Sequence, residues 1–244
     1  MHFTIKLAGL RIEINSIHDE IYKMCEGYLA EGEPADFTVT TSETDIAFEC
    51  EKSIREAILE HLKPTIYPDP YLETLAVYRK IAVEMLKHDT FLMHGSVVAV
   101  SGEAFLFTAP SGTGKTTHTR LWLENIPGAY VVNGDKPLIR VRDGFTEACG
   151  TPWSGKEGMN TNVIVPLKAI CLLTRGEKNT IREMSFLEAY PHLFQQIYRP
   201  TEAETVKKTM ELIRRLGESV RIYLLACNME PEAALVAAEA MMRD

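Results

Sequence analysis

Residues 93–119 read MHGSVVAVSGEAFLFTAPSGTGKTTHT. Two short apolar runs, SVVAV and AFLFTA, stand either side of SGE, and a tight glycine-containing turn between such runs predicts a β-hairpin. The small-residue stretch after it runs straight into TTHTRLWLEN, which has helical spacing. Strand, small-residue loop and helix, in that order, is the context in which G-x-x-x-x-G-K-[ST] binds phosphate. The backbone curls so that several N–H groups face the same oxygens, and the helix adds the positive end of its dipole. Gly112, Gly114, Lys115 and Thr116 hold the working positions, and Ala109 stands where the pattern has its first glycine.

Alanine is acceptable there unless the backbone needs a positive φ or a close approach. The expected nucleotide contacts are Pro110, Ser111, Gly112, Thr113, Gly114, Lys115, Thr116 and Thr117. Lys115 would reach the β- and γ-phosphates and Thr116 would ligate Mg²⁺. A Gly-Thr turn capping a helix would explain the glycines and threonines, but not a lysine at this offset. Because a hairpin delivers the chain to the loop, antiparallel pairing is expected at the nucleotide site.

Toward the C-terminus, AYVV, PLIRV, FTEAC and KAICLLT read as strands, with Asp143-Gly144 as a turn. SFLEAYPHLFQQIY and EAETVKKTMELIRRL read as helices, followed by the strand VRIYLLAC and a helix from Pro231. Toward the N-terminus, FTIKLAGLRIEI is strand-turn-strand, HDEIYKMCEGYLA (18–30) a helix, and DFTVTT a strand. IREAILEHLK (54–63) is a helix stopped by Pro64, and residues 71–87 form another. The character changes near residue 90, which divides a small α+β region (1–90) from a nucleotide-binding domain (91–244).

The 244 residues carry 45% apolar and 25% charged side chains, ordinary globular proportions. A net charge of −8 argues against general nucleic-acid binding and against attraction to anionic membrane. No apolar run is long enough to span a bilayer, and the N-terminus lacks a signal-peptide profile. Five scattered cysteines without C-x-x-C spacing predict buried thiols in a reducing compartment, hence a cytoplasmic chain. The oligomeric state is left open, a homo-oligomer included.

MHGSVVAVSGEAFLFTAPSGTGKTT resembles the corresponding stretch of HPr kinase/phosphorylase, and SGTGKTT is similar to the loop of ATP-dependent phosphoenolpyruvate carboxykinase. The likeness is specific from Met93 to Pro137, weaker to Pro200, and not evident over the N-terminal ninety residues. It implies an α/β P-loop domain with a mixed, largely antiparallel sheet and flanking helices, joined to a small N-terminal α+β lobe. It also implies ATP as donor and Mg²⁺ as cofactor. These families carry one or two acidic residues after the P-loop helix, and Asp135 in Asn133-Gly134-Asp135 is the match, as metal ligand, catalytic base or both. Gly134 stands where a second acid is common. The bland reading of Asn-Gly-Asp is a turn. His94 matches a histidine that these families place near the reaction centre.

GTPWSGKEGMNTN (Gly150–Asn162) is a long glycine-containing loop, of the kind that binds or covers ligands. Trp153, Lys156 and Glu157 are its candidates for an acceptor pocket or lid, against a solvated connection with the indole folded onto the core. Arg199 is a candidate clamp through its planar guanidinium, or a surface ion pair. Together these residues point to a kinase in which Lys115, Asp135 and His94 pass the γ-phosphate to a hydroxyl. A small molecule such as an amino acid or polyol is favoured over HPr as acceptor. A regulatory nucleotide-binding protein and a protein-serine kinase/phosphorylase are the alternatives.

Overall fold

The computed structural model describes residues 1–32, 34–59, 61 and 63–243. The chain divides into two compact units, Met1–Glu84 and Met85–Asp244.

In the first unit, β1 (His2–Leu7) and β2 (Leu10–Asn15) pair antiparallel from His2 opposite Asn15 to Leu7 opposite Leu10. Their two-residue turn has both residues left-handed, Ala8 at φ 50° and Gly9 at φ 83°, which matches the twist of a hairpin. The helix expected over 18–30 is shorter: α1 (Glu20–Met24) gives way to a 3₁₀ turn (Glu26–Tyr28). The Ala30 N–H donates to the Thr4 carbonyl, and Leu29 bridges Ile5, so the chain leaves the helix to follow the sheet. β3 (Phe37–Thr40) then joins β2 in parallel.

α2 (Glu43–Leu59) starts well before the expected Ile54, where the Asp45 carboxylate accepts from the Ser42 N–H and hydroxyl. Glu60 and Leu62, in the tail of that expected helix, lie outside the described residues. α3 (Asp69–Met85) matches its prediction and tightens into a 3₁₀ turn ended by Asp89 at φ 52°. Glu73 on α3 is fully buried and accepts from the N–H groups of Ile17 and His18 and from the Thr41 hydroxyl, which ties three segments together.

The second unit is built on a nine-stranded mixed sheet. Its elements are β4 (Thr90–Leu92), β5 (Ser96–Val100), β6 (Glu103–Thr108), α4 (Lys115–Asn125), β7 (Tyr130–Asn133), β8 (Leu138–Val141) and β9 (Thr146–Cys149). There follow β10 (Ile164–Arg175), β11 (Thr180–Met184), α5 (Phe186–Gln196), α6 (Ala203–Ser219), β12 (Arg221–Cys227) and α7 (Glu232–Met241). The expected hairpin is β5 and β6, turning through Ser101 (φ 54°) and Gly102 (φ 83°). Antiparallel pairing was expected at the loop strand, and the structure is mixed there. β6 is antiparallel to β5 but parallel to β10, which is in turn parallel to β12.

Strands of the sheet interior covered on both faces read as continuous apolar runs whatever their pairing direction, and SVVAV, antiparallel to both neighbours, and AFLF are both of this kind. Val97, Ala99, Ala104 and Leu106 face a core closed by α5 and α6. Val98, Val100, Phe105 and Phe107 face the opposite core, closed by α4 and α7. β10 serves several neighbours at once. Its residues Ile164–Pro166 pair antiparallel with β9, and its later residues pair with β6 and β12. Leu167 lies opposite Ala104 and Ala169 opposite Phe105, so Lys168 is an extra residue, a β-bulge. Among the described residues no helix is long and apolar enough to cross a membrane.

Candidate functional site

The glycine-containing loop 109–114 lies at the carboxyl end of β6, beside the carboxyl end of parallel β10, with Leu172 opposite Thr108. Carboxyl ends of parallel strands are where open α/β sheets hold ligands. Gly112 has φ 75° and Gly114 φ 124°, conformations that disfavour any side chain. Ala109 is outside the left-handed region, and its methyl is buried in the core with Phe107 and Trp122. The first position therefore accepts alanine, and the two retained glycines are where the backbone demands them.

α4 begins at Lys115 without a side-chain cap among the described residues, leaving its first N–H groups to the loop side. Its inner face is locked by Trp122 and His118 against Phe105 and Phe107, and by a 2.6 Å bond between the Ser96 and Thr119 hydroxyls. Lys115 is buried, and its Nζ donates to the carbonyls of Ala109 (2.8 Å) and Pro110 (3.4 Å). Burial lowers its pKa, the charge of Asp135 raises it and that of Lys136 lowers it, with a downward balance. Asp135 and Lys136 therefore lie within electrostatic reach of the loop lysine. Thr116 is exposed at the first turn and Thr117 half-buried.

Asn133-Gly134-Asp135 is indeed a turn, and one that aims a carboxylate. The Asn133 Oδ1 accepts from the N–H groups of Asp135 (2.9 Å) and Lys136 (2.7 Å), while its Nδ2 donates to Thr151. Asp135 Oδ1 lies 3.3 Å from His94 Nε2, and Oδ2 pairs with Lys136. Burial would raise the Asp135 pKa, but the His94 hydrogen bond and the Lys136 charge outweigh it and hold it down at about 2. His94 is clamped from several sides. Its N–H donates to the Gln196 carbonyl (2.7 Å), its carbonyl accepts from Thr108 Oγ1 (2.8 Å), and its Nδ1 lies 3.1 Å from Gln196 Oε1. His94, Asp135 and Gln196 thus form one contiguous group, although they come from distant parts of the chain.

The loop Gly150–Asn162 is stitched to β7. The Thr161 N–H donates to the Val132 carbonyl and the Gly134 N–H to that of Met159. A β-carbon on Gly150 would come within 1.8 Å of the Thr161 carbonyl oxygen, so glycine is required there. Trp153 is buried, in line with an indole folded onto the core and away from an open acceptor pocket. Lys156 is exposed, and Glu157 pairs with Arg120 of α4 across a solvent-facing gap. Arg199 is exposed and stacks over the Phe194 ring at 5.6 Å. The ion pair of Glu157 is with Arg120 and the ring contact of Arg199 is with Phe194, so these contacts lead away from the His94–Asp135 pair.

Sequence reasoning passed over three neighbours of the site. Lys136 follows the Asn-Gly-Asp turn without being singled out, and Gln196 lies inside the expected helix SFLEAYPHLFQQIY. Arg175, whose Nη2 donates to the Gly112 carbonyl at 2.7 Å, was unmarked at the end of a strand. No spacing signal links Arg175 or Gln196 to the loop, because parallel pairing and an inter-helix return bring them there. Two openings adjoin the loop. One of 380 Å³ lies between Pro110–Thr113 and Leu173–Arg175, and the other, of 230 Å³, between the loop mouth, β10 and α5.

No protein-family model and no curated protein matches the chain. Among solved structures, the Hpr(Ser) kinase/phosphatase from Coxiella burnetii is 10% identical with a TM-score of 0.39, covering 62% of this chain and 96% of that one. The architecture described above rests on the strand pairings and not on that likeness.

Proposed function

We propose that the chain is an ATP-dependent phosphotransferase that moves the γ-phosphate onto a hydroxyl group of a small molecule. The observation that carries this reading is the convergence on Lys115 of a loop with two positive-φ glycines and of the ionised Asp135, itself held by His94. Loop N–H groups and the α4 N-terminus would bind the β- and γ-phosphates. Lys115 would exchange the Ala109 and Pro110 carbonyls for phosphate oxygens. Arg175, already on Gly112, supplies a second cation at the rim.

In the transfer, the acceptor oxygen bonds to the γ-phosphorus. The bond from that phosphorus to the β,γ-bridging oxygen breaks, and its electron pair leaves on ADP. The acceptor proton passes to Asp135 as the new bond forms, and His94 fixes the orientation of that carboxylate. A carboxylate held this strongly ionised acts first by orienting the hydroxyl, and takes its proton late in the step, once the oxygen is already bonding to phosphorus.

Mg²⁺ suits the donors present: one carboxylate (Asp135) and one hydroxyl (Thr116), with no cluster of three metal-ligating side chains among the described residues. Magnesium keeps several waters and takes only one or two carboxylates besides substrate phosphates. Bound there, it would neutralise charge on the phosphate oxygens.

The test is transfer from γ-labelled ATP into a pool of hydroxyl metabolites, with Lys115→Ala as the blank. A labelled product that requires Lys115 supports the reading. Tight ATP binding without any product favours the second reading, a regulatory nucleotide-binding protein, which the lone acid beside Gly134 motivates.

A further inference from the structure

The 230 Å³ cavity beside the loop mouth is lined by Gln196, whose Oε1 lies 3.1 Å from His94 Nδ1, and His94 in turn holds Asp135. Thr108, Ala109 and Pro110 form one wall, the same segment whose carbonyls hold Lys115. The last turns of α5 form another, with His192, Gln195 and Gln196 at positions i, i+3 and i+4 and therefore on one helix face. The floor is apolar, made by Leu172, Leu173 and Leu224.

The lining contains no lysine, arginine, aspartate or glutamate. A carboxylate brought in would meet no lysine or arginine in exchange for its lost water, His192 being the one ionisable side chain of the lining, so it is admitted at a higher cost than a neutral hydroxyl. Neutral hydroxyls fare differently, since each donates and accepts, and each carboxamide offers two N–H donors and a carbonyl acceptor. The hydroxyls of Thr108 and Thr174 already donate, to the carbonyls of His94 and Leu225, and so can only accept. The volume is below the roughly 300–1,000 Å³ of pockets for drug-sized ligands, which restricts the guest to a compact molecule.

We infer that this cavity is the acceptor subsite and that the acceptor is a compact, uncharged polyol, held by Gln195, Gln196 and His192 with one hydroxyl at the Gln196 corner. The inference rests on the phosphotransferase reading and narrows it. Carboxylate-bearing acceptors such as free amino acids are disfavoured, as is a peptide segment. His94, through Gln196, links the occupied corner to Asp135.

The experiment measures ADP release by the full chain with MgATP and glycerol, ribitol or myo-inositol, against L-serine and D-glycerate. At least one polyol should raise the rate roughly tenfold or more above the acceptor-free rate, and the two carboxylates should not. Leu224→Phe, which narrows the floor, and Gln195→Leu, on the exposed rim, should each raise the polyol KM about tenfold while the KM for ATP stays within about twofold. The Gln195 variant guards against a folding defect in the other. Stimulation by serine or glycerate at least as strong as by any polyol would overturn the proposal. So would polyol KM values unmoved in both variants, or no response to any polyol. The broader reading fails separately, if calorimetric ATP binding survives unchanged in Lys115→Ala.

Discussion

A β-carbon on Gly134 would stand 2.9 Å from the carbonyl oxygen of Ser154 and 3.3 Å from that of Met159. The backbone of the Gly150–Asn162 loop therefore occupies the space that a second acid beside Asp135 would need. Gly134→Asp should lower thermal stability by about 1–3 kcal/mol through overpacking, without tightening Mg²⁺ binding. An unchanged melting temperature would mean that this loop is not seated on the turn.

The contrast between Ala109 and the two loop glycines gives a second expectation. Ala109→Gly should leave nucleotide affinity within about threefold, because no positive φ is involved and only a packed methyl is lost. Gly114→Ala forces a side chain onto a left-handed backbone, a strain of about 1–2 kcal/mol, and should weaken ATP roughly tenfold or more. Titration with a fluorescent ATP analogue reads both. Equal losses in the two variants would contradict the loop geometry.

His118 supplies the pH dependence. It is buried on α4, accepts from the Trp122 indole N–H at 3.1 Å, and its Nδ1 has no partner among the described residues. Burial pushes its pKa down to about 4 from the usual 6.5. Between those values the unfolded chain takes up a proton and the folded one does not. The stabilisation is thus complete above pH ~6.5 and is lost as pH falls toward ~4, by about 3 kcal/mol in all. His118→Gln should flatten denaturation midpoints over that window. Parallel pH curves for the two proteins would show that the ring is not held neutral.

Asp135→Asn should lower the rate of phosphoryl transfer roughly 10²–10⁴-fold and leave the Kd for ATP within about threefold. Single-turnover kinetics and calorimetry separate the two quantities. If both stay at wild-type values, the carboxylate is a turn residue and nothing more.

Local signals account for much of what could be read from the sequence. The β5–β6 hairpin was legible because two apolar runs flank a glycine turn, and α4 because helical spacing follows the loop at once. α2 was cut short in the reading because its first half, ETDIAFECEK, mixes charges into the apolar spacing. The parallel neighbour of β6 was hidden, since β10 is more than fifty residues away and pairing direction leaves no mark on an apolar run buried on both faces. The same reason hid Arg175 and Gln196. Asn133-Gly134-Asp135 was legible as turn and as carboxylate, and both descriptions hold for the same atoms.

The bulge at Lys168 works as a phase correction. Upstream of it the odd-numbered side chains Val165 and Leu167 enter the core beneath α5 and α6, and downstream the even-numbered Ile170 and Leu172 do so. Strand side chains alternate strictly, so without the extra residue one half of β10 would present the wrong parity. Removing Lys168 would swap Ile170 and Leu172 with Ala169, Cys171 and Leu173, which now serve the core beneath α4 and α7. The walls of the loop and of the cavity beside it are therefore kept in step by one residue that belongs to neither.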